Sequence, residues 1–185
     1  MRTTKISIMK NVFLFTFLIV SLVFSTEATA QKFSGLDKSP ADMAAYPSSY
    51  RVSEKAVRII YSRPQLKGRS VSELAPAGNV WRTGANEAPE ITFYKDATIG
   101  GTAEKAGTYA LFTIPGEGEW TVVLNSNLNQ WGAYSYDKAA DVARVMAKTS
   151  TDSESLEAFS ITFDEDGKNM IMGWGTTRVS LAMSL

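Results

Sequence analysis

Residues 108–124, T-Y-A-L-F-T-I-P-G-E-G-E-W-T-V-V-L, carry the clearest strand signal in the chain. Two runs rich in aromatic and β-branched side chains flank a short segment of proline and glycine, a composition that predicts a β-hairpin. Side chains in a strand alternate between the two faces of a sheet. We therefore expect Trp120, Val122 and Leu124 to share one face of the second strand and to be buried.

The strand pattern extends in both directions from this hairpin. Residues 141–148 alternate in polarity, which favours a strand over a short alanine-rich helix. Asp166 and Gly167 supply the turn chemistry of a second hairpin. Further strands are predicted over residues 57–62, 91–96, 97–99, 156–163, 168–172 and 176–183. A total of about nine to ten short strands predicts an all-β fold, either an antiparallel β-sandwich of the jelly-roll type or a small barrel.

The beginning of the chain has the composition of an export signal. Residues 1–10 are positively charged, residues 12–24 are apolar, and the small residues Ala28 and Ala30 form the pattern that a signal peptidase accepts. An apolar run of about thirteen residues is too short to span a bilayer as a helix. We expect residues 1–30 to be a signal peptide, so that the protein is periplasmic or extracellular and keeps no membrane span after cleavage.

The rest of the chain divides into two parts. Residues 31–50 mix glycine, proline and serine with a few apolar side chains, which predicts an irregular N-terminal arm. Residues 51–185 are predicted to form a single all-β domain. A mature chain of about 155 residues is long enough for one hydrophobic core and too short for two ordinary domains.

The composition restricts the chemistry that the protein can perform. The chain has no cysteine and no histidine. It therefore lacks disulfides, the Ser-His and Cys-His nucleophile pairs and the ordinary zinc ligands. Removal of the signal leaves a net charge of about −2 and no basic run, so no nucleic-acid partner is expected. No cofactor and no metal site are predicted, and acid–base chemistry would depend on carboxylates, lysine or tyrosine.

Three segments combine polar and aromatic side chains beyond what a core requires: residues 63–69, 81–87 and 129–136. Indole, amide and guanidinium groups together are typical of surfaces that stack a flat ligand, such as a sugar ring, and hydrogen-bond to it. The predicted partner is a small molecule, a glycan or another envelope component. The candidate ligand-binding residues are Arg63, Arg69, Trp81, Arg82, Asn86, Glu87, Gln130, Trp131 and Tyr134.

Each of these segments also has an ordinary structural explanation. Arg82 and Glu87 can form an internal ion pair that fixes a turn beside a buried Trp81. Trp131 and Tyr134 can close the open end of a sandwich, with their polar atoms bonded to backbone. The basic residues of segment 63–69 can form a solvated loop, since loops tolerate charge.

Two alternatives to a binding function stay open. Glu87 together with Asp137 or Asp141 could supply the carboxylate pair of a glycan hydrolase, in which the separation of the two carboxylates decides the stereochemical outcome. These three residues are the catalytic candidates. The other alternative is a structural or assembly partner in the cell envelope that binds no small ligand.

The same segments carry a resemblance to a known family. The motifs are L-D-K-S-P-A-D-M at residues 36–43, Y-S-R-P at 61–64, K-G-R at 67–69, W-R-T-G-A-N-E at 81–87, A-G-T-Y at 106–109, L-F-T-I-P at 111–115 and Q-W-G-A-Y at 130–134. In this combination and order the chain resembles the domain of unknown function 2911 family, exported proteins common in Bacteroidetes and related bacteria. The resemblance implies an extracytoplasmic all-β domain and supplies no activity, cofactor or catalytic residue. Ala41 departs from the methionine expected in the first motif, which affects a packing contact of the arm.

Overall fold

The structure, a computed structural model, describes residues 31–185. The predicted signal peptide lies outside the described residues. From Leu36 to Leu185 the chain forms one unit with its own core. Within the described part of the chain, no helix has the length and hydrophobicity needed to cross a bilayer.

Residues 31–185 form nine strands that join in one sheet. The strands are β1 (Ala41–Tyr46), β2 (Val57–Ser62), β3 (Glu90–Phe93), β4 (Ala97–Ile99), β5 (Thr102–Glu104), β6 (Gly107–Ile114), β7 (Glu119–Asn125), β8 (Asp141–Phe163) and β9 (Asn169–Ser184). A four-residue helix, α1 (Val71–Leu74), follows β2, and a 3-10 helix (Lys138–Ala140) precedes β8.

All neighbouring strands are antiparallel, and their order in the sheet is β1-β2-β3-β6-β7-β8-β9-β4-β5. The prediction of an all-β fold is confirmed. The strands form one open sheet, and neither the two packed sheets of a sandwich nor a closed barrel is confirmed.

The predicted central hairpin is β6–β7, and its register runs from Ala110 opposite Asn125 to Ile114 opposite Thr121. Trp120, Val122 and Leu124 are buried on one face as expected. Val123 on the opposite face is buried as well. It belongs to a second, smaller apolar cluster, because the segment between β7 and β8 covers that face of the sheet.

The second predicted hairpin is also present, but its strands are much longer than expected. Residues 141–148 and 156–163, predicted as separate strands, belong to the 23-residue β8. Register shifts between Thr151 and Leu156 and between Leu156 and Ser160 keep the two parts in one ladder with β9. A shift of this kind bends a strand. The first part of β8 pairs with β7, whereas Ala158 in the second part bridges Gln65.

The N-terminal arm requires a correction. Residues 41–46 of the predicted irregular segment form β1, which pairs with β2 from Ala41 opposite Ser62 to Tyr46 opposite Val57. This alanine-rich stretch has no strong alternation, and its strand conformation comes from the hydrogen bonds that the edge of β2 offers. The side chain of Ala44, in β1, is buried in the main core. The sequence pattern reports local preference, whereas this strand depends on a distant partner.

The main core centres on a cluster of four aromatic side chains. Trp81 stacks on Trp174 with ring centroids 5.3 Å apart and an interplanar angle of 13°. Phe159 meets Trp81 edge-on at 5.1 Å, and Trp120 does so at 6.1 Å. The backbone of Trp81 exchanges two hydrogen bonds with Thr113 of β6, of 2.8 and 2.9 Å. The cluster therefore joins the chain before β3 to β7, β8 and β9.

Replacing Trp81 by alanine should lower the free energy of unfolding by about 3–5 kcal/mol, because the change opens a cavity between three aromatic rings. Urea denaturation measures this difference. Trp131→Ala is the matched control, since the Trp131 side chain is 63% exposed and its loss should change stability by about 0.5 kcal/mol or less. Equal destabilisation by the two changes would contradict this description of the core.

Candidate functional site

Two of the three predicted segments meet through their backbones. Glu87 and Trp131 form an antiparallel bridge between the turn before β3 and the segment after β7. Beside the bridge, the N–H of Ala88 donates to the carbonyl of Gln130 at 2.8 Å. Residues that face each other in an antiparallel bridge project their side chains to the same side. The bridge thus places the Glu87 carboxylate next to the Trp131 indole.

A glycine allows the two segments to approach closely. Gly132 has a φ of +68° and donates its N–H to the carbonyl of Asn86 at 2.9 Å. A Cβ at this position would lie 2.7 Å from Cε2 of Tyr134 and 3.5 Å from Nη1 of Arg82. The ring of Tyr134 and the guanidinium of Arg82 therefore both border Gly132, and a larger residue would displace the ring.

We call the residues brought together here the Trp131 surface. Its members are Arg82, Asn86, Glu87, Gln130, Trp131 and Tyr134. Trp131 is 63% exposed and Tyr134 is 84% exposed. The loop that carries them is nonetheless well anchored, because Leu128, Ala133 and Tyr136 pack on the second apolar cluster of the sheet.

The predicted ion pair between Arg82 and Glu87 does not form within the described residues. Between them the chain turns at Thr83 and Asn86, which have φ values of +55° and +60°. Thr83 is buried and donates its hydroxyl to Thr113 Oγ1 at 3.2 Å. Glu87 is exposed, whereas the Nε of Arg82 is buried and finds no hydrogen-bond partner in residues 31–185. The turn is held by Thr83 in place of the ion pair.

Asn86 also lies near the start of the domain. Its side chain helps to lower the pKa of Asp37, after the larger effect of the Ser39 N–H, which donates to Asp37 Oδ1 at 2.7 Å. The polar edge of the Trp131 surface thus extends toward the segment that precedes β1.

Arg63 is part of the framework of the fold. Its Nε donates to the carbonyl of Phe159 at 3.0 Å, and its Nη2 donates to Ser160 Oγ at 2.6 Å. Nη1 pairs with the carboxylate of Asp42 at 3.1 Å. The guanidinium therefore ties the end of β2 to β1 and to the second part of β8.

Arg69 and Trp81 likewise lie away from the Trp131 surface. Arg69 folds back on its own loop, donating to the carbonyls of Leu66 at 2.9 Å and Gln65 at 3.1 Å. Trp81 is buried in the aromatic core. Of the predicted ligand-binding residues, these two and Arg63 are therefore not part of the Trp131 surface.

The two candidate catalytic aspartates accept hydrogen bonds from the fold. The Asp141 side chain is 6% exposed and accepts from Asn125 Nδ2 at 2.8 Å and from Tyr136 Oη at 2.6 Å, besides its ion pair with Arg144 at 2.7 Å. Asp137 Oδ1 accepts the N–H of Ala139 at 2.9 Å and starts the 3-10 helix. Within residues 31–185, no hydrogen bond joins either aspartate to Glu87, and no cluster of three or more acidic residues is arranged to hold a metal ion.

A cleft that the sequence analysis missed lies between α1, the β6–β7 turn and the middle of β8 and β9. It has a volume of about 640 Å³, and none of the predicted ligand-binding residues lines it. We call it the hydroxyl cleft, because eight of its sixteen lining residues are serine or threonine. The sequence signal was the run T-S-T-D-S-E-S at residues 149–155.

The architecture defines an all-β protein with an exposed aromatic loop on one open sheet. The family model described as a protein of unknown function (DUF2911) matches residues 39–183, and the chain belongs to this family. The resemblance drawn from the sequence motifs is thereby confirmed. No curated protein and no solved structure matches the chain.

The contact between Tyr136 and Asp141 predicts a pH dependence. Burial, and then the hydrogen bond to Asp141, raise the pKa of Tyr136 from 10.0 to about 12. The folded state therefore holds this proton more tightly than the unfolded state. Its contribution to stability is fully present below pH 10 and is lost as the pH rises toward 12.

Tyr136→Phe should therefore flatten the fall in stability across this pH range. Urea denaturation at several pH values measures the slope, and phenolate absorbance follows the titration directly. Tyr134→Phe, on the same loop, controls for the removal of one tyrosine from the absorbance signal. An unchanged slope in Tyr136→Phe would show that the phenol does not carry this dependence.

Proposed function

We propose that the protein binds a glycan without catalysis through the Trp131 surface. The observation that carries this proposal is the exposure of Trp131 and Tyr134 on an anchored loop. An aromatic side chain that only completes a core is buried by its neighbours. A large aromatic group held at the surface offers contact area that a ligand can bury.

The anchoring of the loop favours binding. Ordering a mobile segment opposes association, and a segment that is already ordered avoids that cost. The bridge to Glu87 and the apolar contacts of the loop fix the Trp131 backbone in advance. Covering the indole then contributes about 25 cal/mol for each Å² of apolar surface removed from water.

The polar groups around the indole suit a sugar ring. One face of a sugar ring is apolar enough to stack on an aromatic ring, while its hydroxyl groups need donors and acceptors at the edge. Glu87 supplies a carboxylate acceptor, and the amides of Asn86 and Gln130 supply both kinds of group. Gln130 Nε2 already donates to the carbonyl of Leu128 at 3.1 Å, which holds this amide in place.

We propose binding in preference to hydrolysis because of the state of the candidate carboxylates. Asp141 is sealed by three donors, and Asp137 caps a helix. The hydrogen bonds of both carboxylates therefore hold parts of the fold in place. Glu87 then stands as a single exposed carboxylate, which serves as a hydrogen-bond acceptor for a ligand.

The export signal predicted in residues 1–30 supports the same proposal. A protein delivered to the periplasm or the cell exterior meets polysaccharides and their fragments. We therefore propose that the protein acts in the periplasm or outside the cell and that its small-ligand partner is a glycan.

Isothermal titration with a panel of oligosaccharides should reveal binding, and Trp131→Ala should weaken it about tenfold or more, because a stacked aromatic anchor carries a large share of the binding energy. Tyr50→Ala is the matched control. Tyr50 is 87% exposed but lies outside the Trp131 surface, so its loss should leave the affinity unchanged.

Two results would overturn the proposal. One is the absence of heat and of any melting shift with every oligosaccharide tested. The other is the release of shorter sugars by the wild type and its loss in a folded Glu87→Gln variant, which would establish the hydrolase alternative instead.

A further inference from the structure

The hydroxyl cleft lies where the side chains on the core face of the sheet change from apolar to hydroxyl-bearing. Trp120 of β7 pairs with Ala147 of β8, and both are buried. Two residues further along the same face of β8 is Thr149, followed by Thr151. Side chains two apart in a strand share a face. The apolar core face thus continues beyond Trp120 as a row of hydroxyl groups.

A bulge in β8 opens the cleft. The strand loses its register with β9 between Thr151 and Leu156, so the residues between them leave the ladder. Arg178 holds these bulged residues in place, because its Nη2 donates to the carbonyl of Glu154 at 2.6 Å and its Nε pairs with Asp152 at 3.2 Å. Bulges of this kind are common beside binding and active sites, where they redirect side chains.

Helix α1 forms the opposite side of the cleft, and a capping box and close packing on β9 fix its position. Ser70 and Glu73 form a reciprocal capping box, in which the N–H of Ser70 donates to Glu73 Oε2 at 2.6 Å and the N–H of Glu73 donates to Ser70 Oγ at 3.3 Å. Gly175 of β9 has a φ of +53°, and a Cβ there would lie 3.3 Å from Cγ2 of Val71. The missing side chain at Gly175 lets the helix sit against the strand.

The lining is uncharged and mixes hydroxyl-bearing with apolar side chains. Within the described residues, no aspartate, glutamate, lysine or arginine lines the cleft. Ser70 is engaged by its capping box. Other hydroxyl groups open to the cleft and to solvent belong to Thr149, Ser150, Thr151, Ser155, Thr176 and Thr177.

We infer that the hydroxyl cleft is a second binding site, for an uncharged, hydroxyl-rich molecule the size of a mono- or disaccharide. Each serine or threonine hydroxyl both donates and accepts, as do the hydroxyls of a sugar. A charged ligand would lose hydration there without gaining a counter-charge. The volume of 640 Å³ lies within the range of about 300–1,000 Å³ that is typical of small-molecule sites. The partly exposed side chains of Leu66 and Val71 line the cleft and provide apolar surface.

The site is independent of the Trp131 surface, since the two share no residue. The two sites also differ in lining, because the cleft presents serine and threonine hydroxyls whereas the Trp131 surface presents two exposed aromatic rings. Thr151 and Thr177 face each other across the β8–β9 ladder and line the cleft together. Changing both to valine removes two hydroxyls and keeps the branched shape that a strand favours.

The test uses the purified protein with neutral mono- and disaccharides at millimolar concentration, followed by two-dimensional amide NMR. Binding should shift the amide signals of residues 149–151 and 175–177. The Thr151→Val, Thr177→Val double variant should bind about tenfold or more weakly, because each lost hydrogen bond weakens binding severalfold. Thr102→Val, on exposed β5 outside the cleft, is the matched control and should bind as the wild type does.

Binding at these amides that persists in Trp131→Ala supports the cleft as a separate site, whatever the fate of the Trp131 surface. The inference is overturned when no neutral sugar shifts the cleft amides, or when the double variant binds as the wild type does. It is also overturned when glucuronate or glucosamine binds the cleft more tightly than glucose, because a charged ligand would then be preferred.

Discussion

The stack of Trp81 on Trp174 is the contact on which the rest of the structure depends. The chain has no cysteine, so no disulfide can hold distant segments together, and burial of apolar surface must do so. Trp81 sits in a stretch without regular structure, yet its ring fills the space between Trp174, Phe159 and Trp120. The turn that leads to Glu87 begins at the next residue. The position of the Trp131 surface is therefore set by a tryptophan that takes no part in it.

The elements that could be predicted from sequence are those whose partners are close in the chain. The β6–β7 and β8–β9 hairpins each join neighbouring strands through a turn with its own chemistry, and both were expected. The strand β1 and the continuity of β8 were not. The first exists because β2 offers an edge, and the second because bulges keep two strand segments in one ladder. Neither cause leaves a local pattern in the amino-acid sequence.

The candidate site shows the same division. The sequence correctly marks segments 81–87 and 129–136 as unusual, and the bridge from Glu87 to Trp131 joins them. It cannot tell which tryptophan is buried, because Trp81 is covered by Trp174, more than ninety residues away. The hydroxyl cleft escaped notice for a related reason. A run of serine and threonine is ordinary in an exposed strand, and it lines a cleft here because α1 lies opposite it and Arg178 holds the bulged residues of β8.

The open sheet has two edge strands, and both are poorly suited to strand addition. Unpaired strand edges invite another strand to add, and proteins usually guard them. Here the edge strand β1 is bracketed by Pro40 and Pro47, and the other edge strand, β5, has three residues. Proline donates no backbone hydrogen bond, and so short an edge offers few. The two edges of the sheet therefore offer few hydrogen bonds to an added strand. This agrees with our proposals, in which binding relies on side chains: the anchored aromatic residues after β7 and the hydroxyl groups beside the β8 bulge.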